Sequence, residues 1–461
     1  NSTTATTSNI SLGTDASVNA SGGTYIAYLF AHDTGADGII QCGSFTTDGV
    51  GVSASINLGW ESQYLMVKRT NVVEDWGVYD ASRGFGKPAY NNKTLFPNLA
   101  ATETEPSEGV EPEATGFKAN GLLASSTYIY LAIRRPNKPP TTGTQVYNHL
   151  TRTGTGAVGS TAAVGFAPDL AISQSISVGR PPTWVDRLRG VKKWICSHAV
   201  NQEVAQTTSG LSSFDMLGVS YTADNIEQPF AWNNPGETKH QRFFKRAPGF
   251  FDVVCYTGDG VAGASGRAVT HGLGVAPELV IVKSRSLGHP WRVWHTSFGT
   301  TCNILLNNSS PWNTDFYLWA TAMLAVSAPA TQFGVYADAT SNSTNTSSAT
   351  YVAYLFASLL GISKVGSYTG NGSSQTINCG FSAGARFVLI KRTDSTGDWY
   401  VWDTARGIVA GNDPHLSLNT TASEETTNDS VDPDASGFIV NQVAATDVNV
   451  TGATYLYLTI A

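Results

Sequence analysis

The chain has 461 residues, 46 of them Gly and 3 of them Met, with 14% charged residues and a formal net charge of -7. That length exceeds one ordinary hydrophobic core and points to three or four units, and the Gly-rich, charge-poor composition fits short strands joined by polar turns rather than long helices. A net negative chain without clustered Lys and Arg excludes nucleic acid as a partner. The most apolar run, Phe316 to Ala328, is shorter than the roughly 20 residues a bilayer helix needs, which excludes membrane insertion by a helix.

In chain order, Asn1 to Ser21 is rich in Ser, Thr, Asn and Ala, with neither an initiating Met nor a signal-like apolar stretch, so the sequence reads as part of a longer one. Thr24 to Phe30, TYIAYLF, follows as a strand. It recurs at Thr127 to Leu131, Thr350 to Phe356 and Thr454 to Leu458, with a diverged copy, TKHQRFF, at Thr238 to Phe244. A second marker opens each unit: strand residues and then a Gly/Asn/Asp turn at Ser44 to Gly49, Cys255 to Gly260 and Ser367 to Gly372, most weakly at Arg152 to Gly156. The two markers divide the chain into the end of one unit, 1–33, and four further units at 38–136, 142–247, 249–357 and 361–461.

Within the last unit, alternating apolar runs place strands at Lys364 to Thr369, Thr376 to Gly380, Arg386 to Thr393, Trp399 to Thr404, His415 to Asn419, Gly437 to Asn441 and Thr454 to Ile460. Short strands with turn signals this frequent predict an all-β chain of tandem antiparallel β-sandwich repeats, without a helix of useful length. The link Arg134 to Pro140 is Pro-rich and stiff, and the other links are only a few residues long. The diverged TKHQRFF strand, with its basic residues, is expected to be exposed or to cover another surface, making its unit a candidate docking module.

The hairpin Ala385 to Gly407 and its counterpart Tyr64 to Gly84 share Lys-Arg-Thr, a Trp, an aromatic-Asp pair and Arg-Gly. Asp80 with Arg83, Asp186 with Arg189 and Asp403 with Arg406 could bind a sugar through bidentate bonds, pair with each other or, in the last unit, pair with Lys391 and Arg392 across the sheet. Alternation assigns Trp399 and Val401 inward, and Tyr400 and Trp402 outward. Tyr79, Arg83, Tyr400, Trp402 and Arg406 are therefore the candidate contact residues for a ligand or partner, and exposed Trp faces would suit a sugar ring. Acidic runs at Glu103, Glu105, Glu108, Glu111 and Glu113, and at Glu424, Glu425, Asp429, Asp432 and Asp434, read as solvated loops. They lack the spacing of a known calcium loop. The five Cys are far apart and read as free thiols. No nucleophile elbow, HExxH or Walker-type loop is present, so neither a catalytic residue, a cofactor nor a metal is expected.

The succession YTGNG, KRTD, DWYVWDTARG, LNTTA, an acidic loop and TYLYLTIA resembles a repeat of tail-fibre-like virion structural proteins of tailed bacteriophages, marine ones especially. The resemblance covers essentially the whole chain and implies a concanavalin-like or jelly-roll sandwich. It also implies a virion location, tail fibre or adhesin-like, a rod of units that extends from the particle and contacts the host. Implied partners are other virion proteins, further copies of the chain (a trimer by analogy) and a host cell-surface glycan. A glycan depolymerase or a lectin module on the same architecture is the competing reading.

Overall fold

The computed structural model describes residues 9–35, 38–83, 85, 92–104, 109–113, 115–135, 139–159, 161–205, 209–224, 231–262, 266–298, 304–312, 317–337 and 344–461. Its regular structure is almost entirely β, in antiparallel sheets. Each larger sheet repeats one strand order. In the last unit Thr454–Ile460 lies between Ser363–Thr369 and Phe387–Arg392, which pairs onward to Trp399–Asp403 and Leu416–Ser417. Thr350–Phe356, Thr238–Phe244 and Thr127–Arg134 hold the same inner place in the third, second and first units. A smaller sheet stands opposite each, such as Gln375–Asn378, Gly437–Val440 and Val431–Asp434 in the last unit.

Alternation sends one set of side chains between the two sheets of a unit. Val388, Ile390, Trp402, Phe438 and Tyr455 form that core in the last unit, and Leu65, Val67, Tyr79, Phe117 and Tyr128 form it in the first. The Gly that precedes Phe117 and Phe438 is a steric requirement: a Cβ on Gly116 would lie 1.8 Å from the Ile56 carbonyl oxygen, and one on Gly437 2.1 Å from that of Ile377.

The other set of side chains is apolar too, and in three of the four units it is buried. Leu170, Ile172 and Phe244 of the second unit, Leu279, Ile281 and Phe356 of the third, and Phe387, Leu389 and Ile460 of the last belong to one shared cluster. Trp184 meets Trp291 with ring centroids 5.3 Å apart, and Phe244 approaches both Phe356 at 6.0 Å and Phe387 at 6.1 Å. The junctions form a closed cycle. Glu203 N donates to Arg285 O at 2.8 Å, Trp312 N to Thr393 O at 3.0 Å and Glu424 N to Ile176 O at 3.4 Å, linking second to third, third to last and last to second unit. Each acceptor is the residue just after the equivalent strand. A second cycle runs the other way, with Trp291 Nε1 donating to Cys196 O at 2.9 Å, Trp399 Nε1 to Leu305 O at 2.8 Å and Gln174 Nε2 to Ser417 O at 3.0 Å. These units surround a common core instead of standing in a row, which corrects the expected rod for this part of the chain.

The first unit attaches differently, through buried charges. Glu61 contacts Arg187 and Arg246, Asp169 contacts Arg135 and Arg187, and Arg246 also reaches Asp252 of the third unit. Burial would raise the Glu61 carboxyl, but Arg187, Arg246 and Arg135 outweigh it and leave it lowered.

Several expectations need correction. Thr24 to Phe30 carries no strand, and Ile26, Tyr28 and Leu29 are exposed; alternation supplies a face but not the flanking strands that such an inner strand needs. Thr238–Phe244 is not exposed: Lys239, His240, Gln241 and Arg242 are all buried because groups of other strands meet them. A helix occurs at Tyr317–Leu324, where Trp319 and Met323, at helical spacing, join the third unit's core and Ala322 is buried as well. Val431–Asp434 is a strand that the Pro and acidic residues concealed. Cys42, Cys196, Cys255 and Cys379 are free thiols, and Cys302 lies outside the described residues. No helix among the described residues is long and apolar enough to cross a membrane.

Candidate functional site

The hairpin strand of three units ends in the Asp-Arg motif, and in each the two side chains bind each other. Asp403 accepts from Arg406 Nε at 2.8 Å, with Nη2 at 2.6 Å, and Arg83 Nε donates to Asp80 at 2.6 Å. Asp186 and Arg189 are paired and wholly buried. The motif caps its own turn, because the Asp also accepts the backbone amide of the Arg, as at Arg406 N, 3.2 Å.

Around the inter-unit core the same Asp also reads the neighbouring unit. Tyr354 Oη of the third unit donates to Asp186 at 2.8 Å. On the last unit, Asp403 lies 2.9 Å from His240 Nε2 and 3.7 Å from Arg242, both of the second unit's inner strand. Burial would raise the Asp403 carboxyl, but Arg406, His240 and Arg242 outweigh it and hold it well below the usual carboxylate range. Burial lowers His240 to about 3 and His149, 3.7 Å from Asp403, to about 4. The Asp403 carboxylate between these histidines is also flanked by the guanidinium groups of Arg406 and Arg242. The cluster is an inter-unit ion-pair network.

The candidate contact residues do not form a surface. Trp402 is 0% exposed and Tyr79 3%, both within the cores between sheets; the Arg406 side chain, 2% exposed, is held by Asp403, the Val401 carbonyl and Glu424. Tyr400 is half-buried against His415 and Trp402, and Arg83, partly exposed, is paired with Asp80 and Glu103. The outward assignment of Tyr400 and Trp402 is thus corrected: both faces of the strand are covered, Trp402 by its own small sheet and Trp399 by the neighbouring units. Of the other Trp residues near the hairpin strands, Trp184, Trp291 and Trp294 are buried and Trp76 is half-buried.

The acidic loops differ between units. Glu105 and Glu108 lie outside the described residues. In the first unit Glu111 pairs with Lys118 at 3.1 Å and accepts from Asn120 Nδ2 at 2.5 Å, and Glu103 pairs with Lys93 at 2.8 Å. In the last unit Glu425 accepts from Thr426, Thr427 and the Thr427 hydroxyl, and Asp434 from Ser436. Asp429 and Asp432 converge instead on Asp413, with one carboxylate oxygen from each within 4.8 Å of the others. Asn441 Nδ2 bridges the pair, donating to Asp429 Oδ1 at 3.0 Å and Asp432 Oδ2 at 2.8 Å.

The residues 1–136 and 142–461 match a family described as a domain of unknown function (DUF7483). The chain belongs to that family. No curated protein and no solved structure matches it. In this DUF7483 chain the two matched stretches meet at 137–141, within the Pro-rich link. Asp413 was missed by sequence reasoning because it precedes the acidic run by eleven residues and sits in GNDPH, which reads as a turn. Asp413 corresponds to Asn92 of the first unit, each two residues before a bridging residue, His415 to Glu425 and Thr94 to Thr104, and the shared Asn-x-x-x-Leu of the two segments was the available signal.

Proposed function

We propose that the chain is a structural protein of a bacteriophage virion, tail-fibre or adhesin-like, built of tandem β-sandwich repeats and displayed on the particle. Its expected partners are other virion proteins, further copies of itself and a host-surface glycan. The observation that carries this reading, beside the repeat resemblance, is the cyclic closure of three units on one apolar core. Such closure makes a stiff body from short repeats, and the strongly shifted carboxylates and histidines of its junctions are engaged in holding it together. A spacer or displayed platform needs that stiffness, whereas hydrolysis of a glycan needs two carboxylates facing a cleft.

The test is to purify particles from a host carrying the parent gene, to identify the chain by mass spectrometry and to locate it with a specific antibody under the electron microscope. Labelling at a fixed place on the particle is expected. Absence from particles, or release of oligosaccharides when the chain is incubated with host capsule or lipopolysaccharide, would overturn the reading.

A further inference from the structure

We propose that Asp413, Asp429 and Asp432 of the last unit form a binding site for one divalent cation of calcium size. Three observations meet there. The donor atoms are all carboxylate oxygens within 4.8 Å of one another. Two oxygens bound to a single calcium at 2.3–2.6 Å lie at most about 5 Å apart, so separations of this order are compatible with one shared calcium ion, whereas magnesium demands near-ideal octahedral geometry and gives up its waters reluctantly. Hard oxygen donors without sulfur or imidazole select such a cation over the softer transition metals.

Second, Asp413 is 0% exposed, and although its Oδ2 accepts the amides of Ser430 at 3.0 Å and Val431 at 3.1 Å, its Oδ1 has no hydrogen-bond partner among the described residues. A buried carboxylate oxygen left without a donor is costly unless something positive meets it.

Third, the first unit shows how the same place is neutralised by side chains. There Asn92 replaces Asp413, its Nδ2 donating to Val110 O at 2.8 Å. Glu111 stands where Asp432 does, and its cross-strand partner is Lys118, at 3.1 Å. In the last unit the residue across from Asp432 is Ile439, so the lysine is gone and one more carboxylate has been added. A bound cation supplies the charge that Lys118 supplies in the first unit.

The experiment uses the full chain, stripped with a chelator and titrated calorimetrically with calcium chloride alone and, separately, with magnesium chloride. The proposal expects one calcium site, a rise in melting temperature on adding calcium, and weaker magnesium binding. Asp413→Asn should weaken calcium at least about tenfold and abolish the calcium-dependent rise. Ile439→Lys, which copies the first unit, should abolish calcium binding while the metal-free protein melts no earlier than wild type, so that lost binding is separated from misfolding. No heat and no melting shift with millimolar calcium, or a calcium site that survives in both variants, would overturn the proposal.

Discussion

In the last unit Trp399, Val401, Leu416, Leu456 and Leu458 are at most 2% exposed, whereas the matched residues of the first unit include Val78 at 9%, Leu95 at 37% and Ile129 at 42%. The two sheets share strand order, register and the Asp-Arg turn. What differs is the neighbour. The last unit's sheet is packed against two others round an apolar core, while the first unit is held by the Glu61, Asp169, Arg187 and Arg246 network. Period-2 alternation decides which residues share a face, and only the neighbour decides whether that face leaves water.

This contrast is tested first by truncation. Trp399→Ala should cost about 3 to 5 kcal/mol, and Trp402→Ala a similar amount because it too is fully buried, on the opposite side of the strand. Trp76→Ala, at the matched place in the first unit, should cost no more than about 1 kcal/mol. Thermal or denaturant melts of the three variants measure this, and a Trp76 variant that melts as early as the Trp399 variant would break the comparison.

Glu61→Gln should come next, at about 3 kcal/mol, because it leaves Arg187 and Arg246 buried with less opposing charge. Limited proteolysis of that variant should release the 38–135 segment sooner while the rest of the chain stays resistant. Equal susceptibility throughout would place Glu61 in the shared core instead of at a separable junction.

A smaller effect is expected from pH. His240 faces Asp403, Arg242, Arg406 and His149, and burial lowers it to about 3, far below the ordinary histidine value near 6.5. A depressed histidine gives stability that is complete above its unfolded value and is lost as pH falls towards its folded one. Melting temperature should therefore decline between about pH 6.5 and 4, and His240→Gln should shallow that slope. A variant with the wild-type slope would remove His240 from the junction's account. Least affected of all should be Ile129→Ser, on the open face of the first unit, at about 0.5 kcal/mol or less by the same melts.

Much of the fold was legible because hairpins depend on local pattern. The strands Phe387–Arg392 and Trp399–Asp403 pair across the Asp394 to Asp398 turn, as the alternating runs indicate. The faces were harder to read, although one sign was present: WYVW is apolar on both sides, which is how a strand covered on both faces reads. TKHQRFF misled because its basic residues are buried by partners such as Asp403, more than 150 residues away in sequence. The acid triad was hidden for the same reason. Asp413 joins Asp429 and Asp432 only once Val431–Asp434 forms a strand, and neither its Pro nor its acidic residues suggest one.

Native-state hydrogen exchange, followed along the three inner strands Thr238–Phe244, Thr350–Phe356 and Thr454–Ile460 and along Thr127–Arg134, tests the shared core most directly. If three units close on one core, the first three strands should exchange through a common opening of high free energy, and Thr127–Arg134 should open separately at a lower one. Independent openings for the three, or equal protection of Thr127–Arg134, would contradict the closed arrangement.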